Sequence, residues 1–114
     1  MSVQLKTRQV GEVNVVDVAG RITLGEGSSA LRDSLRDMVS KGQKKILLNL
    51  AEVSYIDSSG IGELVSGFTT VANQGGQLKL LSLTKRVKDL LQITKLYTVF
   101  DVHDDEAGAI RSFT

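Results

Sequence analysis

The sequence predicts an α/β fold: one mixed β-sheet, antiparallel at its N-terminal hairpin and parallel in its second half, with about four helices packed on it. Three observations predict it. The N-terminal residues alternate apolar and polar positions and are broken by Gly11-Glu12, as a hairpin requires. An apolar run in residues 45–50 lacks alternation and so reads as a strand covered on both faces, and another apolar strand follows in residues 77–83. Before, between and after those runs, apolar residues recur at helical spacing.

Taken in order, Val3, Leu5 and Thr7 alternate with Gln4, Lys6 and Arg8, which gives a first strand. Val13 to Val18 is rich in β-branched residues and forms the second strand, antiparallel to the first. Gly20-Arg21-Ile22-Thr23-Leu24 reads as its extension or as a third small strand. Gly25-Glu26-Gly27-Ser28-Ser29 is a polar loop with a helix-capping serine at its end. Leu31, Leu35, Met38 and Val39 then make one apolar helix face, with Arg32, Asp33, Arg36 and Asp37 on the wet side and Lys41-Gly42 closing the helix. After the central strand, a second helix from about Ser59 to Asn73 turns Ile61, Leu64, Val65, Phe68 and Ala72 inward and ends at Gly75-Gly76. Gln77 to Leu83 is the next strand, so strand, helix and strand form a βαβ unit with parallel pairing and a right-handed crossover. Thr84 caps a third helix with Val87, Leu90 and Leu91 inward and Lys85, Arg86 and Lys88 as a basic, solvated face. Tyr97 to Val102 holds a last strand, and Asp104-Asp105-Glu106 opens a final helix anchored by Ala107, Ile110 and Phe113.

Residues 1–114 read as one domain, long enough to fold without staples. A hydrophobic share of 41% and a charged share of 24% are usual for a soluble globular protein. The absence of cysteine excludes a disulfide frame, a thiolate metal site and a thiol nucleophile. A net charge of +1 gives no bulk attraction to nucleic acid or anionic lipid. No apolar run is long enough to span a membrane, and Met1 to Lys6 lacks the core of a signal peptide. His103, the single histidine, reads as an exposed side chain at a helix start, with no partners for a Ser-His-Asp hydrolase. Gly60-Ile61-Gly62 begins like a dinucleotide fingerprint but meets Val65 where the third glycine belongs, and no Gly-Lys-Ser/Thr loop exists for a Walker-type ATP site. Paired carboxylates occur only as helix-start acids, which excludes glycosidase chemistry. Aromatics total 4%, too few for a base-stacking platform.

The stretch Tyr55-Ile56-Asp57-Ser58-Ser59-Gly60-Ile61-Gly62 organises the rest. It reads as a loop from the carboxyl end of a buried strand to the amino end of a helix, where open α/β sheets place ligands and reacting groups. Helix-start amides favour negative charge there. Ser58 and Ser59 are therefore caps, phosphate acceptors or both, beside Asp57 as a capping residue, and capping alone explains the same letters. Gly60 and Gly62 leave the backbone open to close approach. A phosphate on Ser58 would add roughly −1.5 to −2 charges, tolerated by the helix end but not by a partner packed over it.

Val53-Ser54-Tyr55-Ile56-Asp57-Ser58-Ser59-Gly60-Ile61-Gly62 resembles the signature of bacterial anti-sigma factor antagonists, the STAS domain proteins. Gly20-Arg21-Ile22, the apolar strand before the signature, Gly75-Gly76-Gln77-Leu78 and Lys85-Arg86-Val87-Lys88-Asp89-Leu90-Leu91 are similar as well, so the likeness spans essentially the whole chain as a single STAS domain. The resemblance implies a cytoplasmic partner switch without a cofactor or metal of its own. The unphosphorylated protein binds an anti-sigma factor, typically also a serine-protein kinase, and frees a sigma factor for transcription. The kinase phosphorylates the serine after the motif aspartate, here Ser58, and the complex parts. A metal-dependent serine phosphatase restores the first state. Such a protein is a kinase substrate and not an enzyme, with no direct nucleic-acid contact. The expected partner surface comprises Asp57, Ser58, Ser59, Gly60, Ile61 and Gly62, together with Arg21 and Thr23 in the loop that runs to Ser28. Many phosphorylated members carry Gly-Glu-hydrophobic-Asp where this chain has Gly20-Arg21-Ile22-Thr23, which changes the charge beside the phosphorylation site and so the choice of partner. The family also includes non-switched scaffolds and transporter-associated subunits, in which Ser58 would be only a cap.

Overall fold

A computed structural model describes residues 3–113. β1 (Val3–Val10) and β2 (Val13–Ile22) form an antiparallel hairpin, paired from Val3↔Gly20 to Val10↔Val13. Gly11 makes its tight turn at φ +62°, a conformation glycine enters at no steric cost. There follow α1 (Glu26–Ser40), β3 (Lys45–Ile56), α2 (Ser58–Asn73), β4 (Gln77–Leu81) and α3 (Lys85–Ile93), then β5 (Val102–His103) and α4 (Glu106–Ser112). The sheet order is β1-β2-β3-β4-β5, and every pairing after the hairpin is parallel. The mixed sheet and four helices agree with the sequence expectation.

Two apolar clusters cover the sheet. The larger joins Val16, Val18, Ile46, Leu48, Leu50 and Ile56 of the strands to Leu31 and Leu35 of α1, Ile61 and Leu64 of α2, and Val87 and Leu91 of α3. The smaller sets Val13, Val15, Leu47 and Leu81 against Ala109 and Phe113 at the α4 end. Ile46, Leu47 and Leu48 are thus divided between both clusters, which is why that run shows no alternation. Charged groups lock α4 in place. The Arg8 guanidinium grips Asp17 at 2.7 Å and Glu106 at 2.7 Å, and it holds both carboxylates below their usual range. Lys79 Nζ, on a buried residue, donates to the Ser112 carbonyl at 3.0 Å and the Ser112 hydroxyl at 2.8 Å, and pairs with Asp101 at 3.0 Å.

Several expectations are corrected. Of the two readings of Gly20–Ile22, the extension of β2 holds and the third small strand does not, because the segment pairs onward with Val53–Ile56. The register shifts between Asp17 and Ala19 and between Gly20 and Arg21 each place one extra residue on β3, so the alternation they interrupt is that of β3. β3 runs past Leu50 to Ile56 with Ala51, Glu52 and Ser54 exposed, so its second half is wet on one face and reads as polar. α1 starts at Glu26, capped by the Gly25 backbone without a side-chain bond, and Ser28 and Ser29 lie inside the helix. β4 stops at Leu81, where Ser82 turns left-handed at φ +58°. The expected strand from Tyr97 is a 3-10 turn at Tyr97–Val99, and only Val102 and His103 pair with β4. It brings Phe100 edge-on to Phe68, centroids 5.5 Å apart. Ala72 and Ala107 are exposed, their expected inward places taken by Val71 and Ala109. His103 is half-buried in β5, with Nε2 3.1 Å from Asp101 Oδ2, not exposed at a helix start.

Candidate functional site

The segment read as a loop is no loop. Asp57 alone separates the end of β3 from the start of α2, in extended conformation at φ −112° and ψ −174°. Its Oδ1 accepts from the Gly60 amide at 3.0 Å and the Ser59 hydroxyl at 2.6 Å, and its Oδ2 accepts from the Leu24 amide at 3.0 Å. The Asp57 amide donates to the Ile22 carbonyl at 3.3 Å. One carboxylate therefore caps α2 and also pins the connection between β2 and α1. The Ser59 hydroxyl chiefly, then the Gly60 and Leu24 amides, hold the Asp57 carboxyl below its usual value against a partial desolvation that pushes it up. A lowered carboxylate contributes stability that is full above its unfolded pKa and is lost as pH falls through the folded one. Asp57→Asn is therefore expected to be less stable than the parent at neutral pH, with the gap closing as pH drops below about 4. Urea unfolding across a pH series measures it; a gap independent of pH would contradict the assignment.

The two serines differ. Ser59 is half-buried and committed: its hydroxyl reaches Asp57 and lies 2.8 Å from the Ser28 hydroxyl, which in turn is 3.0 Å from the Thr23 carbonyl. Two hydroxyl hydrogens serve these three contacts; the carboxylate claims that of Ser59, and Ser28 donates to Ser59 or Thr23. Ser58, the first residue of α2, is exposed, and its hydroxyl makes no hydrogen bond among the described residues.

The glycines differ as well. Gly62 is exposed, with nothing within 4 Å of a Cβ placed there, so it keeps the surface bare as expected. Gly60 does not: it is buried, and a Cβ there would run into the Ile22 carbonyl and lie 2.6 Å from Ile56 Cγ1. Gly27 of α1 is pressed in the same way against the Arg21 carbonyl. Both helices thus converge on the carboxyl end of β2, which is what joins Ser28 to Ser59. Ile61 is 3% exposed and belongs to the core, so the expectation that Gly60 and Ile61 face a partner is corrected.

Arg21 stands opposite Tyr55 in the β2–β3 register, its guanidinium carbon 4.8 Å from the ring centroid. Arg86 of α3 lies 4.2 Å from the same centroid. Thr23 is half-buried and receives the Ser28 amide at 2.9 Å on its carbonyl. Leu24, Gly27 and Ser28 lie in the expected stretch from Arg21 to Ser28, but their individual roles are not visible in the letters: Leu24 is 82% exposed beside the bond from its amide to Asp57, Ser28 meets Ser59, and Gly27 packs on the Arg21 carbonyl. No helix among the described residues is long and apolar enough to cross a membrane.

Residues 4–109 match the model of the STAS domain family. The anti-sigma-B factor antagonist of Bacillus subtilis is 32% identical over 111 residues, covering 97% of this chain and 100% of that protein. Among solved structures, the Thermotoga maritima protein TM1081 superposes with a TM-score of 0.88 at 24% identity, covering 96% of this chain and 93% of that one. The Bacillus cell fate determinant SpoIIAA in its phosphorylated form superposes with a TM-score of 0.75 at 20% identity, covering 95% of this chain and 97% of that one.

Proposed function

The chain belongs to the STAS domain family, and from that premise we propose that it is an anti-sigma factor antagonist released from its partner by phosphorylation of Ser58. The observation that carries the reading is the contrast between the serines: Ser58 offers a free, solvent-facing hydroxyl, whereas Ser59 is tied to Asp57. Full-length similarity to an anti-sigma-B factor antagonist supports the partner class. That SpoIIAA, of the same fold, exists in a phosphorylated form supports the compatibility of the architecture with such a modification.

In this reading the unmodified protein, acting in the cytoplasm as a single domain, occupies an anti-sigma factor that is also a serine-protein kinase. Its surface is the Ser58 tip with Asp57, Ser59, Gly62 and the connection from Arg21 through Thr23. The kinase moves a phosphoryl group from ATP to the Ser58 oxygen. A metal-dependent serine phosphatase removes it. The antagonist itself does no chemistry and touches no nucleic acid. The helix start accommodates the added charge, but Asp57 already holds an ionised carboxylate there, so the phosphate makes the tip doubly anionic or more. A partner covering it would have to bury that charge.

The test has two parts. Mass spectrometry of the protein from its own cells is expected to place a phosphate on Ser58. Calorimetry with the purified kinase-type anti-sigma factors of the same genome is expected to detect binding by the unmodified protein and none by the phosphorylated one. Equal binding by both forms would leave a scaffold in which Ser58 only begins a helix.

A further inference from the structure

Resting on the antagonist reading, we infer that the partner meets the Ser58 tip with an acidic face: carboxylates opposite Arg21 and Arg86, next to an apolar pocket that receives Leu24. Three observations carry this. First, Arg21 and Arg86 are both exposed and both held against the Tyr55 ring, at 4.8 and 4.2 Å from its centroid. Neither is ion-paired among the described residues, whereas the adjacent Lys85 is spent on Asp89 at 2.7 Å. An arginine stacked on an aromatic ring keeps its N–H edges free while losing less freedom on binding, so the pair is preorganised for carboxylates.

Second, the pair stands at the switch and not elsewhere. Arg21 and Tyr55 are partners in the β2–β3 register, the next pair is Ile22 and Ile56, and Asp57 follows. The net charge of the chain is +1, so this local excess is not part of a general basicity. Third, Leu24 projects an 82% exposed apolar side chain from a backbone fixed by Asp57. A lone exposed leucine is ordinary; this one is anchored by the carboxylate that caps the Ser58 helix, which makes it an ordered apolar knob beside that helix start. The charge pattern also gives the switch its direction. Carboxylates drawn to the two arginines would be repelled by a phosphate on Ser58, whereas a basic partner would be held more tightly by it.

The experiment uses the purified anti-sigma factor that binds the unmodified chain, with association and dissociation rates measured from low to high salt. The Arg21→Glu/Arg86→Glu double variant is expected to associate about 10-fold or more slowly at low salt and to lose the salt dependence of the parent. The single alanine variants, each expected to slow association about threefold, guard against a folding defect in the double variant. Leu24→Ala is expected to dissociate about 10-fold faster. Unchanged or faster association on charge reversal overturns the acidic face, and unchanged dissociation of Leu24→Ala overturns the knob. If no anti-sigma factor binds the unmodified chain at all, the antagonist reading falls and takes this inference with it. Normal parental binding with indifferent variants sinks this inference alone.

Discussion

A Ser58→Asp variant is expected to bind the anti-sigma factor at least about 100-fold more weakly than the parent, at unchanged or slightly raised thermal stability. The first half follows from burying a new charge beside the ionised Asp57 while the partner's carboxylates take up Arg21 and Arg86, which leaves that charge unpaired at about 3–5 kcal/mol. The second half follows from the position of Ser58. It is the first residue of α2, exposed, and its hydroxyl supports nothing, so the substitution breaks no contact and adds an anion where the helix favours one, by about 0.3–1 kcal/mol. Ser58→Ala should bind like the parent and no longer respond to the kinase. Ser59→Ala is the control of opposite character. It removes the hydroxyl bonded to Asp57 at 2.6 Å and is expected to cost about 1 kcal/mol of stability while leaving release by phosphorylation intact. Calorimetric titration together with thermal melts measures both columns of this comparison. A Ser58→Asp protein that binds at parental affinity would defeat the switch.

Gly60→Ala is expected to lower stability by about 3 kcal/mol. The added Cβ would overlap the Ile22 carbonyl and two isoleucine side chains, and a main-chain carbonyl held in a strand cannot step aside. Gly62→Ala, two residues on, should do the reverse. Nothing lies within 4 Å of its Cβ, and replacing an exposed helical glycine by alanine gains about 0.5–1 kcal/mol. Chemical denaturation of the two variants side by side is the measurement, and effects of equal sign would contradict the packing described for this turn.

Much of this was legible in the letters, and the rest was hidden for identifiable reasons. Leu31, Leu35 and Met38 of α1 and Val87 and Leu91 of α3 recur at helical spacing, and they are buried where that spacing puts them. The capping of α2 at Asp57 was readable because a polar capping residue stands between an apolar strand and an apolar helix. What stayed hidden was set by contacts between distant segments. Nothing local to Gly60 says that Ile22 will press on it. Nothing local to Leu24 says that Asp57, 33 residues later, will take its amide. The bulged register of β2 on β3 erased the alternation that would have shown β3 reaching Ile56. His103 reads as a helix-start residue in the letters because its pairing with Leu81 of β4, and the approach of Ser112 once α4 folds back, are set by distant segments.

The single-residue passage from β3 to α2 has one more consequence. With no spare chain between a paired strand and a capped helix, the junction has no hinge through which a covalent mark could travel. In the switch proposed for Ser58, the mark would be read where it sits, as an emblem on a stationary shield, and no refolding of the bearer would enter the clock.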